Sequence, residues 1–192
     1  MIAKIEAQID RAAANFNALR RLSPLIAEIA RAWINVLKQG SRVFFCGNGG
    51  SAADAQHLAA ELVGRYAYDR PPLPAVSLAT DTSILTAVGN DYGFDDVFSR
   101  QILALGKPGD ALVAISTSGN SLNVLKAAEA ARDMSMLVVG FTGESGGELK
   151  RLADLCLAVP SSQTNYIQEM HIACGHIVCG LVEEALFRRP SA

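Results

Sequence analysis

The sequence predicts an α/β fold in which a parallel sheet is covered by helices on both faces. Three observations predict it. Short apolar runs rich in β-branched and aromatic residues alternate along the chain with segments of helical character. Within those runs apolar residues follow one another without polar alternation, as expected of strands buried on both faces. Two Gly/Ser loops, 47–51 and 116–121, directly follow such runs. In folds of this class ligands bind beyond the carboxyl ends of the strands, so both loops are expected on one edge of the sheet.

The elements follow in order. Residues 2–22 place Ile2, Ile5, Ile9, Ala12, Phe16 and Leu19 at spacings of three and four, one apolar stripe on a helix. Ser23-Pro24 reads as an N-cap and an N1 proline opening a second helix to about Gln39, closed by Gly40. This pair over residues 1–40 exceeds what a minimal α/β domain needs. It is either a cover for one sheet face or a self-association surface. Val43-Phe44-Phe45-Cys46 is a buried strand, and Pro74-Ala75-Val76-Ser77-Leu78 another after the turn-rich Asp69-Arg70-Pro71-Pro72. Asp81-Thr82-Ser83 caps a helix ending near Gly89; residues 95–105 are helical, and 107–110 turn. Ala111-Leu112-Val113-Ala114-Ile115 is the clearest strand, and a helix runs from its loop to about Arg132. Strands over 136–141 and 155–159 enclose a short helix at 148–152, and a long helix spans about 163–187.

Composition bounds the function. The chain has 192 residues, enough for one domain with a sizeable core, and 50% hydrophobic against 19% charged residues argues against disorder. A net charge of −2 and the lack of a basic run interleaved with aromatics disfavour nucleic-acid binding. The four cysteines, Cys46, Cys156, Cys174 and Cys179, form no CxxC pair and read as lone buried thiols in a reducing compartment. No signal peptide is apparent, and the apolar stretch at 174–182 is too short to span a bilayer. A soluble cytoplasmic protein without membrane partners is expected.

Ser116-Thr117-Ser118-Gly119-Asn120-Ser121 sets four hydroxyls and a glycine at a helix start. Free N–H groups and the helix dipole favour an anion there, and the hydroxyls add uncharged donors, which suits a phosphate. An ordinary N-cap would need only one of these serines. The loop lacks the lysine of a Walker P-loop, and Gly47-Asn48-Gly49-Gly50-Ser51 lacks the third glycine of a dinucleotide fingerprint. His57 and Glu61 lie one helical turn apart and face the same way. Alone, such a pair is a solvated ion pair; after a polar glycine loop at the ligand edge it suggests acid–base or metal chemistry. On the last helix, His176 lies about 80° and His171 about 60° around from Gln168, in opposite directions, so periodicity does not choose between them. Asn90-Asp91 reads as a turn, and Asp54 and Asp81 as caps.

The combination of Cys46-Gly47-Asn48-Gly49-Gly50-Ser51, His57-x-x-x-Glu61, Val88-Gly89-Asn90-Asp91, Ile115-Ser116-Thr117-Ser118-Gly119-Asn120-Ser121 and Ile167-Gln168-Glu169-x-His171 with His176 resembles the phosphoheptose isomerases over essentially the whole chain. These are sugar isomerase (SIS) domain proteins, so a single three-layer, flavodoxin-like domain over 1–192 is implied. The resemblance implies conversion of sedoheptulose 7-phosphate to D-glycero-D-manno-heptose 7-phosphate through a cis-enediol(ate), the entry to ADP-heptose and the lipopolysaccharide core. It implies Glu61 and His176 as the catalytic pair and Asn48, Gly49, Gly50, Ser51, Asn90 and Asp91 around the sugar, with Glu61 and Gln168 also in contact. Ser116, Thr117, Ser118 and Ser121 would hold the phosphate, and some relatives bind zinc through residues matching His57, Glu61, Gln168 and His176. A homotetramer built partly on the N-terminal helices, with sites shared between subunits, is implied as well. Asn165 departs from an aspartate found in several relatives. The wording Ser51-Ala52-Ala53-Asp54-Ala55-Gln56-His57 and Ala79-Thr80-Asp81-Thr82 also resembles a non-enzymatic SIS homologue that binds the replication initiator DnaA. That homologue lacks the counterparts of Glu61 and His176. Isomerisation of a shorter sugar phosphate is a further alternative.

Overall fold

The computed structural model describes residues 1–187 of the chain. Helices α1 (Ile2–Leu19) and α2 (Ser23–Lys38) precede strand β1 (Val43–Gly47) and helix α3 (Gly50–Val63). Strand β2 (Ala75–Ser77), α4 (Thr82–Asp91), α5 (Ser99–Leu105), β3 (Ala111–Ile115) and α6 (Leu122–Asp133) follow. Strand β4 (Leu137–Thr142), α7 (Leu149–Leu152), β5 (Leu155–Ala158) and α8 (Thr164–Leu186) complete the described chain. The five strands form one parallel sheet in the order β2-β1-β3-β4-β5, with Val43 opposite Ala111 and Gly47 opposite Ile115.

Alternation within each buried strand divides the core into two layers. Val43, Phe45, Val113, Ile115, Val139 and Phe141 face α2, α3 and α8. Phe44, Cys46, Leu112, Ala114 and Val138 face α5, α6 and α7. This is the expected three-layer arrangement, and it explains the unbroken apolar runs of the strands. Trp33 of α2 is fully buried and meets Phe45 edge-on, ring centroids 5.3 Å apart.

The two alternatives for the N-terminal pair each describe one helix. Helix α2 covers the sheet through Ile26, Ile29, Trp33 and Leu37. Helix α1 buries Leu19 alone, while Ile9 is 62% and Phe16 40% exposed, so its stripe faces outward. The Ser23 hydroxyl donates back to the Arg20 carbonyl (2.8 Å) and caps nothing; the chain passes from α1 to α2 through a 3-10 turn that leaves no N-cap break there. Asp81 caps α4 as expected, accepting from the Ile84 N–H at 2.9 Å. All four cysteines are free thiols, and burial pushes Cys46, Cys174 and Cys179 up to about 12.

Candidate active site

The sheet order creates the site. Helix α3 leaves β1 towards one face and α6 leaves β3 towards the other, although the two strands are neighbours. The crevice between them is the position at which open parallel sheets bind ligands. Both polar loops open onto it. Asn48 and Asn123 clasp them together with reciprocal amide bonds of 2.8 and 2.9 Å.

In the β3–α6 loop the hydroxyls converge. The Ser116 hydroxyl lies 2.9 Å from that of Ser121 and 3.4 Å from that of Ser118, and the Ser118 oxygen accepts from the Asn120 N–H at 3.1 Å. Ser121 occupies the N-cap position of α6 without a side-chain capping bond. Its hydroxyl turns into the loop instead, so the N–H groups of Leu122 and Asn123 at the start of α6 stay available to an anion, while that of Val124 donates to the Ser121 carbonyl at 3.0 Å. This separates the loop from an ordinary side-chain cap.

The second half of the site is the seam between α3 and α8. A Cβ at Gly175 would fall 2.7 Å from Leu58 Cδ1, so a larger residue there, one residue before His176, would have to displace the buried Leu58 side chain. Gly49, at φ +55°, makes the turn into α3, and a Cβ on Gly50 would collide with the Gln168 amide, which places Gln168 over the start of α3. Further along, His57 Nε2 lies 3.1 Å from Glu61 Oε1 and 2.9 Å from His176 Nε2. Tyr66 flanks the group, its ring centroid 6.0 Å from that of His176.

Three donor atoms thus converge within 4.8 Å of one another. Two imidazole nitrogens facing each other share at most one proton between them, so the arrangement suits a proton or a cation at its centre. Ligand atoms on a tetrahedral zinc ion stand about 3.3 Å apart. The observed spacings come close to that, so the cluster could hold a metal ion.

His176, not His171, joins this cluster. His171 is fully buried; its Nε2 lies 3.0 Å from the Thr142 carbonyl, and burial drives its pKa down to about 4 despite that bond. It is a neutral core histidine. Asn90 and Asp91 form the exposed last turn of α4, where Asn90 Nδ2 donates to Asp91 Oδ1 at 2.8 Å, and they are helical where a turn was expected. Asp54 is not a cap. It lies within α3, half-buried, and burial pushes its carboxyl up to about 6 against the opposing pull of His57. Asn165 is exposed on the first turn of α8.

Sequence reasoning missed the residues that brace these parts. Asn123 follows the predicted loop and reads as a helix residue. Arg70 lies within the turn-rich stretch 69–72 and receives no role from the sequence. It is buried and donates to Glu183 Oε2 at 3.0 Å, to the Leu62 carbonyl at 2.7 Å and to the Glu61 carbonyl at 2.7 Å. One signal was available: Glu183 lies two helical turns beyond His176 in an otherwise apolar stretch.

The fold and these two half-sites define an α/β protein with a hydroxyl-lined loop at one helix start and a His/Glu/His cluster that could hold a metal ion. Residues 8–143 match the SIS domain family. The phosphoheptose isomerase of Rhodospirillum rubrum is 60% identical over 183 residues, covering 95% of this chain and 97% of that protein. The structure of phosphoheptose isomerase GmhA from Neisseria gonorrhoeae superposes with a TM-score of 0.90 at 43% identity, covering 95% of this chain and 98% of the other. A phosphoheptose isomerase structure from Francisella tularensis gives 0.92 at 39% identity, with the same coverage. The chain belongs to the phosphoheptose isomerases of the SIS domain family. The SIS match ends before α8, so Gln168 and His176 lie outside the matched residues.

Proposed function

We propose that the protein interconverts sedoheptulose 7-phosphate and D-glycero-D-manno-heptose 7-phosphate, with Glu61 and His176 as its acid–base pair. The convergence of Glu61, His57 and His176 at the open end of the α3–α8 seam carries this reading. Glu61 removes a proton from C1 of the ketose and returns it to C2. His176 serves the oxygens, taking the proton from O1 and supplying one to O2, so that the carbonyl passes from C2 to C1 through a cis-enediol(ate). Each positioned acid or base supplies ~10²–10⁴-fold of rate. Ser116, Thr117, Ser118, Ser121 and the N–H groups of Leu122 and Asn123 at the start of α6 hold the phosphate. Gly49, Gly50 and Ser51, with the backbone of Asn48, line the sugar. Asn48 gives its amide to Asn123, so its role there is through the main chain. Asn90 and Asp91 complete the sugar site, and Gln168 reaches it from α8.

His57, Glu61, Gln168 and His176 would hold zinc, one ion per subunit and not strictly required. When bound, zinc would polarise the substrate's carbonyl and hydroxyl oxygens. We assign the chain as one SIS domain over 1–192, working in the cytoplasm as a homotetramer assembled partly on residues 1–40. The outward apolar stripe of α1 supports that assembly. Among the described residues no helix is long and apolar enough to cross a membrane. A scaffold role on DnaA is disfavoured by the presence and convergence of Glu61 and His176.

Purified protein incubated with sedoheptulose 7-phosphate is expected to form the aldose phosphate. No turnover with or without added zinc, beside an active control enzyme, would sink the proposal. A higher kcat/KM on a shorter ketose phosphate would reassign the substrate.

A further inference from the structure

The loop between α3 and β2 is folded around one buried carboxylate. Glu183 of α8 accepts the backbone N–H groups of Tyr66 (2.8 Å), Ala67 (2.7 Å) and Tyr68 (3.3 Å), and the Arg70 Nε (3.0 Å). Burial pushes the Glu183 carboxyl up, but these N–H groups and the guanidinium together hold it below the usual glutamate range. The same guanidinium reaches back to the carbonyls of Glu61 and Leu62, which belong to the final turn of α3. Carbonyls in the last turn of a helix have no partner within it, so Arg70 closes that turn from outside. Its Cζ also lies over the Phe187 ring, 5.6 Å from the centroid.

This network touches the cluster from both sides. Glu61 sits on the turn whose carbonyl Arg70 holds. Glu183 follows His176 by seven residues, nearly two whole turns, so both project from α8 towards α3. By anchoring the Tyr66 N–H, Glu183 also lays the Tyr66 ring beside His176 and against Gly180, where a Cβ would approach Tyr66 Cε1 to 3.1 Å.

We propose that Arg70 and Glu183 are positioning residues for the isomerase site. They join the Glu61 turn of α3 to the His176 face of α8 and so set the spacing of the His57–Glu61–His176 cluster. Lysine at position 70 keeps the positive charge but cannot reach Glu183 and both carbonyls in one fork. The inference rests on the proposed isomerase function for its kinetic readout, and a cobalt(II) readout tests it separately.

The test compares wild type, Arg70→Lys and Glu183→Gln well below their melting temperatures, with folding verified by circular dichroism. Glu183→Gln retains an acceptor for the loop N–H groups and serves if Arg70→Lys does not fold. A loss of kcat of about 10–100-fold is expected, because small misplacements of reacting groups cost this much. KM for sedoheptulose 7-phosphate is expected to stay within about 2-fold, because the phosphate loop lies on β3 and is untouched. Titration with cobalt(II), read by its visible absorption, is expected to show affinity reduced by about 10-fold or more. Folded variants with wild-type kcat and cobalt affinity, however low their Tm, would overturn the proposal and leave a purely structural ion pair. If wild type binds cobalt but shows no isomerase activity, the functional reading fails and the cobalt comparison alone decides positioning. A wild type that does neither overturns both.

Discussion

The seam between α3 and α8 carries a carboxylate at each end, and the two are treated in opposite ways. At its closed end Glu183 is 1% exposed, satisfied by three backbone N–H groups and Arg70. At its open end the Glu61 side chain is 22% exposed, and its neighbour His57 49%. Glu61 meets one imidazole, which meets a second. A carboxylate saturated with donors and shut from water is held in one state. A carboxylate partly open to water beside an imidazole is not held in that way. The residue type is the same at both ends; burial and the number of fixed donors suit one to a strut and the other to the acid–base role proposed for it.

The sharpest way to break this comparison is Glu61→Gln. Turnover is expected to fall ~10²–10⁴-fold with substrate binding and Tm nearly unchanged, measured by aldose formation and by calorimetric titration with substrate. Retained activity would remove Glu61 as the base. The opposite signature is expected of Glu183→Ala, which leaves Arg70 buried without its partner. Stability should drop by about 3–5 kcal/mol in urea denaturation. A loss below about 1 kcal/mol would show that the closed end is not a strut.

The two histidines of α8 extend the contrast to pH. His171 is neutral in the fold with a pKa of about 4, against an unfolded value near 6.5. Its folded pKa is depressed, so its contribution is fully present above about pH 6.5 and is lost as pH falls towards 4. The loss amounts to about 3 kcal/mol. The stability gap between wild type and His171→Leu is therefore expected to narrow as pH falls from 7 to 4, followed by denaturant melts at each pH. A gap independent of pH would refute the assignment. The smallest effect is expected at the phosphate loop. Ser121→Ala should raise KM several-fold, equivalent to about 1 kcal/mol, with kcat little changed. A large fall in kcat with constant KM would move Ser121 into the chemical step.

Much of the fold was legible because its signals are local. Uninterrupted apolar runs marked β1, β3 and β4 to within a residue or so, and the hydroxyl-rich 116–121 segment falls in the loop between β3 and α6, where it was expected. The ends of α1 and α2 were less legible, because Ser23-Pro24 carries the signature of a cap while the chain continues in near-helical backbone through 20–22. Asp54 was misread for a related reason. An acid near a glycine loop looks like a cap, but the helix had already begun at Gly50.

By itself, the sequence determined the alternation of strands and helices, the pair of loops at one sheet edge, and the shared face of His57 and Glu61, because periodicity and backbone permissiveness act over a few residues. It also carried a family resemblance strong enough to single out His176. Only the tertiary structure decided what periodicity left open. Helix α8 is rotated so that His176 meets α3 while His171 turns into the core against Thr142, and that rotation is set by packing between helices, including the close approach of Gly175 to Leu58 of α3, and not by the periodicity of α8 alone. The partnership of Arg70 and Glu183 was equally out of reach. Two charges 113 residues apart become an ion pair only once a hydrophobic core has brought their elements together and excluded the water that would otherwise satisfy each alone.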